Sequence, residues 1–410
     1  MEFSPDIKTI IYDVLKTSPE AMANMSLEQL EDLKSKVEDL RHDYTMFELS
    51  KKLAGNGAYG ASGNPGFYFY NVELAGDITG ECRHLTQTMW HNIQEWFHET
   101  IWTRYDLWEQ FNFALDESKH DWYRTQQVAV FSDTDSVYVS YGTFFECMTP
   151  EYRELYKSDR AKTEWILRYN TEFQNKLNTE WCEAIYKPRH ARSIHEFELE
   201  TISKSCIYLK KKKYIKGLVF NKGKFLDVPK VSGTGIEIIK STTPQLSRKI
   251  LTDMVKMLMF DYNVQDKGTF LAEFNKKLLK YRDEFMTAPV QDISSSVGIG
   301  NYKKYVIDDE EMLILEKRCP VSVHGIARYN HLAYKNNQKF LKTTSGKIKY
   351  YEIDAGQYFA FPQGELPEWA PMPNRTIQWD KTVIIPLNRF MTTMQLPDCE
   401  VGEAVQLELF

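Results

Sequence analysis

The stretch Val128-Ala129-Val130-Phe131-Ser132-Asp133-Thr134-Asp135-Ser136-Val137-Tyr138-Val139 constrains this chain more than any other. Two apolar runs rich in β-branched and aromatic residues flank a tight polar SDTDS. That pattern predicts a β-hairpin with two aspartates at its tip. A hairpin holds such carboxylates rigidly, where they could bind Mg²⁺ against a substrate phosphate, because Mg²⁺ takes one or two carboxylates together with phosphate oxygens and water. The plainer reading is an acidic turn facing solvent, since Asp, Thr and Ser are ordinary turn residues. DTDS alone leaves both readings open.

A second pattern lies upstream. Ser26 and Gln29 have the spacing of a capping box, which predicts a helix start. Leu30, Leu33, Val37, Leu40, Tyr44 and Phe47 then recur at three- and four-residue steps and form an apolar stripe. If the helix continues, Lys52, Asn56 and Tyr59 stand at i, i+4 and i+7, on a face about a third of a turn from the stripe. That face would present an ammonium, an amide and a phenol together. The alternative is an ordinary helix end, because Gly55, Gly57 and Gly60 weaken helix and polar residues gather at ends.

The net charge of −6 argues weakly against a nucleic-acid binder, yet its distribution argues the other way. Between Ser203 and Leu226 stand Lys204, Lys210, Lys211, Lys212, Lys213, Lys216, Lys222 and Lys224, with no acid among them. Tyr208, Tyr214, Phe220 and Phe225 are interleaved. Such a strip can track phosphates while its apolar residues hold a sheet underneath. A solvated lysine face or a localisation signal is the competing reading.

A chain of 410 residues is expected to form two or three domains, and 42% hydrophobic content is enough to build their cores. No apolar run approaches the ~20 residues needed to span a bilayer, so no membrane partner is expected. The N-terminus, MEFSPDIKTIIYDVL, carries early acids and lacks a basic region followed by a long apolar stretch, so it is not read as a secretory signal. Cys82, Cys147, Cys182, Cys206, Cys319 and Cys399 never form a CxxC pair, which predicts reduced thiols in a cytoplasmic protein.

Taken in order, the motifs resemble family B DNA polymerases, and within them the phage replicative type. KKLAGNGAYGA, residues 51–61, is similar to the family's fingers motif of Lys, three residues, Asn, a small residue, any residue, Tyr and Gly. FSDTDS follows about seventy residues later and is similar to the palm motif YGDTDS. FELET, residues 197–201, precedes KKKKYI, residues 210–215, where the family has a Glu and then a KKRY-like run. GIEIIKSTTP, residues 235–244, resembles the palm-to-thumb junction, and CPVSVHGIARYN (319–330) and FAFPQGELP (359–367) resemble thumb segments of phage members. The match runs from near residue 1 to the C-terminus. Gly57 departs from it by standing where the family usually has Ser, and Ala54 and Gly55 replace larger apolar residues.

The resemblance implies an α+β right-hand architecture with a helical fingers segment, an antiparallel-sheet palm and a mostly helical thumb. Residues 1–60 would form the second half of the fingers, 61–241 the palm with helices on one face of its sheet, 242–400 the thumb and 401–410 a C-terminal tail. Asn64-Pro65-Gly66 marks the exit from the fingers. Trp90, Trp96, Trp102 and Trp108, at six-residue steps, are read as palm core rather than a base-stacking platform. Thr243 is expected to cap, and Pro244 to open, a thumb helix carrying Leu246, Ile250, Met254, Met257 and Leu258. A second helix is expected near 268–285. The Ser- and Gly-rich segment 292–301 is expected to be a mobile loop.

The implied function is template-directed transfer of deoxynucleotides from dNTPs to primer-template DNA, with two Mg²⁺ ions in the assembled site. Carried over residue by residue, Asp135 is a metal ligand and Asp133 a supporting carboxylate. Glu200 aligns with a family acid near the same site, with a salt bridge as its equal alternative. Lys52 would contact the incoming triphosphate, Asn56 would help orient it, and Tyr59 would pack near the new base pair. Lys211, Lys212, Lys213 and Tyr214 would contact DNA. No DxxSLYPS-like motif and no exonuclease DxE motif precedes Lys52, and MEFSPDIK resembles the tip of the fingers. The expectation is therefore the C-terminal piece of a split polymerase in an infected bacterial host. A partner chain would carry the N-terminal domain, the exonuclease, the first catalytic Asp and the first fingers helix. Leu407, Leu409 and Phe410 resemble the tail that docks on a sliding clamp, though a terminal strand or helix folded onto the thumb is the alternative. A non-catalytic primer-template or clamp-binding module is the runner-up, disfavoured by the presence of Lys52, Asn56, Tyr59, Asp133 and Asp135. A reverse-transcriptase-like or RNA polymerase is disfavoured by the KKKY and thumb motifs.

Overall fold

Ser26 completes the expected capping box. Its hydroxyl accepts from Gln29 N at 3.3 Å, and Gln29 Oε1 accepts from Ser26 N at 2.8 Å. The helix that starts there, α1 (Leu27–Ser62), runs unbroken for 36 residues through Gly55, Gly57 and Gly60, and none of its residues is buried. Leu30, Leu33, Val37 and Leu40 are half-exposed, while Tyr44 and Phe47 are exposed. The computed structural model describes residues 15–133, 135–262, 266–300, 319–341, 346–364 and 366–399. They form an α+β fold with antiparallel sheets. None of its helices among the described residues is long and apolar enough to cross a membrane.

The chain divides into two compact units, Met1–Ile202 with Phe220–Leu226, and Ser203–Val219 with Asp227–Phe410. In the first, α2 (Val72–His98) begins on Asn71, whose Oδ1 accepts from Leu74 N. Its buried C-terminal half meets α3 (Asp159–Asn175) in an aromatic core. Trp165 stacks on Tyr169 with centroids 4.9 Å apart and planes 9° from parallel. Phe97 meets Phe144 and Phe173 edge-on. Trp165 Nε1 donates to Phe111 O and Trp96 Nε1 to Tyr169 Oη, so the polar atoms of these large rings are satisfied. Trp96 and Trp102 are buried and Trp90 and Trp108 half-exposed, in line with a core role. The strands β1 (Ala129–Asp133) and β2 (Ser136–Val139) form a two-stranded hairpin.

The second unit centres on β3 (Thr201–Lys210), β4 (Lys213–Asn221) and β5 (Lys224–Thr234), in that order across one sheet. Ile207, Ile215 and Ile236 pack with Ile250, Leu251 and Met254 of α4 (Gln245–Phe260) and with Phe270 and Phe274 of α5 (Lys267–Thr287). A further antiparallel sheet, β6 (Ser295–Ile299), β7 (Gly346–Asp354) and β8 (Gln357–Pro362), is covered by α6 (Val321–Lys335).

Several expectations need correction. The strands between 61 and 241 make two separate sheets, not one. Most of β3–β5 groups with the residues after 241, because its inner face shares a core with α4 and α5. Thr243 does not cap α4: its hydroxyl donates to Glu237 O at 2.7 Å, and Pro244, with no polar side chain, occupies the cap position. Met257 is half-exposed, whereas Leu246, Ile250, Met254 and Leu258 are buried as expected. Within the expected loop 292–301, residues 292 and 293 end a short helix (Val290–Ile293) and residues 295–299 form strand β6, since pairing with β7 satisfies the backbone of a Ser/Gly-rich run that has little side-chain preference of its own. Asn301 lies outside the described residues.

Gly325 shows how closely α6 lies on its sheet. A Cβ there would stand 2.9 Å from Ala360 N and 3.1 Å from Phe359 C, backbone atoms of β8. Gly325→Ala should lower the unfolding free energy in urea by about 1–3 kcal/mol through overpacking. Gly76→Ala in α2, where a Cβ meets nothing within 4 Å, should be neutral or slightly stabilising.

Candidate functional site

The acidic hairpin stands where its flanking strands predicted. Phe131 pairs with Tyr138, Ser132 with Val137 and Asp133 with Ser136, leaving a two-residue tip. The Phe131 and Tyr138 rings meet edge-on at 5.5 Å, the kind of cross-strand pair that stabilises a short ribbon. Asp133 O accepts from Asp135 N at 2.7 Å and from Ser136 Oγ at 3.0 Å, which tightens the turn. The Asp133 side chain is half-buried and that of Asp135 exposed. Thr134 lies outside the described residues.

The hairpin is carried by α2, which packs against both strands. Gln94 Oε1 accepts from Val128 N and from Ala129 N, each at 3.0 Å, while Gln94 Nε2 donates to Gln126 O. Val128 and Ala129 are fully buried, so this one amide satisfies backbone groups that have no access to water. The nearby phenols of Tyr123 and Tyr169 are pushed well above their usual range by burial and stay neutral.

Carboxylate oxygens are hard donors of the type Mg²⁺ prefers. Asp133 and Asp135 therefore fit as part of a metal-binding set. Among the described residues no group of three or more His, Cys, Asp or Glu that could hold a metal ion is gathered. Glu200 stands beside Lys222. It is exposed, its backbone carbonyl accepts from Lys222 N at 2.8 Å, and its carboxylate lies 4.0 Å from Lys222 Nζ. Such an exposed pair contributes about 0–1 kcal/mol.

Lys52, Asn56 and Tyr59 are all exposed on the unbroken α1, at the helical spacing that puts them on one face. Lys211 and Lys212 form the two-residue connection between β3 and β4, with Lys210 and Lys213 beside it. Lys210, Lys211 and Lys212 are exposed and Lys213 half-exposed. Tyr214 corrects the expectation of a DNA-contacting ring. It is 7% exposed, and its ring centroid lies 6.0 Å from that of Tyr208, because β4 is buried along most of its length. Residues 1–8 and the tail residues Leu407, Leu409 and Phe410 lie outside the described residues.

Sequence reasoning missed Gln94, whose role depends on a contact 34 residues away. It also passed over Gly233, which lies two residues before the junction motif that begins at Gly235. Comparison with protein-family models and with curated proteins finds no match.

Gln94→Leu would leave the Val128 and Ala129 N–H groups buried without an acceptor. The expected loss is about 2–4 kcal/mol of unfolding free energy, with faster amide exchange at both residues. Unchanged exchange there would mean that the amide does not hold the hairpin.

Proposed function

We propose that this chain is the C-terminal subunit of a split, phage-type DNA polymerase that works with an N-terminal partner chain in an infected bacterial host. The observation that carries the reading is that the ordered motifs fall on elements that present them. The Lys52, Asn56 and Tyr59 side chains share one exposed helix face, and Asp133 and Asp135 occupy the tip of a braced hairpin. The exposure of α1 supports the partner: a 36-residue helix that buries no residue gains little from tertiary packing, which supplies most helix stability in proteins.

In this reading the Lys52 ammonium binds the triphosphate of the incoming dNTP and Asn56 and Tyr59 orient it. Asp133 and Asp135 would hold Mg²⁺, with a carboxylate of the partner chain completing the set. Bound Mg²⁺ supplies charge stabilisation for in-line displacement, in which the primer 3′-hydroxyl attacks and pyrophosphate leaves. The lysine turn of residues 211–213 contacts primer-template DNA, and the tail residues Leu407, Leu409 and Phe410 dock on a sliding clamp.

The chain alone should not extend a primer, and mixing with its partner should restore extension. The apolar stripe on α1 should pair antiparallel with the partner's helix. Leu40→Glu, at a half-exposed position, should leave the unfolding midpoint of the isolated chain unchanged and abolish complementation. Extension at full rate by the chain alone would end the split-enzyme reading.

Asp135→Asn should slow single-turnover incorporation by the assembled enzyme by orders of magnitude while primer-template affinity stays intact, because it removes metal-borne charge stabilisation rather than a DNA contact. Lys52→Ala should weaken nucleotide use and leave DNA affinity alone. DNA binding by the assembled pair with no incorporation under any condition would favour the non-catalytic binding module instead.

A further inference from the structure

The connection between β3 and β4 contains a conformational anomaly. β3 ends at Lys210 and β4 begins at Lys213, so Lys211 and Lys212 are the two residues between them. Lys212 has φ +60°, the left-handed region, while Lys211 does not have a positive φ. A turn with positive φ at its second central residue ordinarily takes Gly or Asn there, because a longer side chain strains the backbone. The next connection, between β4 and β5, behaves similarly. Lys222 at φ +43° precedes Gly223 at φ +81°, a pair of positive values that favours Asn-Gly. Lysine thus stands at two positions where local energetics ask for another residue.

What holds the first turn is the far end of β5. Gly235, at φ +67°, faces the Lys212 carbonyl so closely that a Cβ there would collide with that oxygen, and it would stand 3.3 Å from Lys213 Cγ. At Gly233 a Cβ would stand 2.5 Å from Tyr214 O and 3.2 Å from Ile215 Cα. Both glycines therefore let β5 and the residue after it pack on the backbone of residues 212–215. Any side chain at 235 has to displace the Lys212 peptide, which is backbone and cannot swing aside as a lysine tip could.

We infer that Gly235, supported by Gly233, is a positioning residue for a polyanion contact. It seats the Lys212 peptide in a left-handed turn that presents the Lys212 ammonium beside its exposed neighbours, and lysine is retained there against local preference for its charge. The inference rests on the proposed DNA-binding role of the turn and adds the residues that set its geometry. Backbone strain of this type persists where surrounding packing over-determines it, and here the packing is the glycine pair. The recognised chemistry is the phosphate backbone of primer-template DNA, which a lysine contacts without regard to sequence.

The test uses the full chain and a fluorescent primer-template duplex with a single-stranded overhang, titrated by anisotropy over a salt series, together with thermal unfolding. Lys212→Asn keeps a left-handed turn and removes the charge. It should weaken binding roughly threefold to tenfold at low salt and flatten the slope of log affinity against log salt by about one unit. Its unfolding midpoint should be no lower than that of the unaltered chain. Lys212→Arg should restore binding. Gly235→Ala should reproduce the affinity loss and the flatter slope, and adding Lys212→Asn to it should cause no further loss.

Unaltered binding by Gly235→Ala, with weakened Lys212→Asn, would overturn the positioning role while the DNA-binding reading stands. Additive losses would also overturn it, since Gly235 would then act through the fold at large. A lowered midpoint for Lys212→Asn would refute retention of lysine against strain, and this arm decides the matter if Gly235→Ala does not fold. Unaltered binding after neutralising Lys211, Lys212 and Lys213 together would remove the DNA-binding reading itself.

Discussion

Two hydrogen bonds to a single amide oxygen decide where the acidic hairpin stands. Val128 N and Ala129 N both donate to Gln94 Oε1 at the point where the chain enters β1. A two-stranded ribbon is marginally stable by itself in water. This one gains its fixed position from α2, which holds the entry to β1 by hydrogen bonds and both strands by packing. The helix is held in turn by the aromatic column of Trp165, Tyr169 and Phe173 against Phe97 and Trp96. The placement of Asp133 and Asp135 therefore traces back to rings thirty or more residues away in sequence.

The first unit is uneven in its packing. The C-terminal half of α2 is lined with fully buried residues, whereas α1 and the start of α2 bury almost nothing. Phe67, Tyr68, Phe69 and Tyr70 form an exposed aromatic run between these helices, with Tyr68 and Phe69 in edge contact at 4.9 Å. Apolar surface in such continuity is a mark of an interaction site rather than of a finished monomer surface. The proposed partner chain would give this surface a role.

The second unit is built the opposite way, around dense burial. Glu352 is nearly inaccessible, yet both of its carboxylate oxygens meet Lys381 Nζ, at 2.7 and 2.6 Å, and Gly356 N adds a third bond. Burial of a charge is tolerated only with partners of this kind.

Local patterns determined what they physically could. Apolar runs rich in β-branched and aromatic residues around SDTDS specified a hairpin, and the Ser26–Gln29 box with a three-four apolar repeat specified where α1 starts. The second helix expected near 268–285 is α5, Lys267–Thr287. In each case the energy that selects the structure comes from neighbours within a few residues. The partition of the strands into separate sheets was not legible, since it depends on which helix buries the β3–β5 face. Thr243 reads as a cap in sequence, but the helix begins at Gln245, so Pro244 holds the cap position and the Thr243 hydroxyl donates to Glu237 O instead. The segment 292–301 read as a loop until β7 supplied an edge for residues 295–299 to pair with. Tyr214 lies in a basic run that reads as surface, and only the packing of β4 placed its ring inside. The sequence alone settled which chemical groups the chain carries and on which local elements. Only the tertiary structure decided which of them Gln94, Gly233 and Gly235 would hold in place, because those contacts join segments that no local preference brings together.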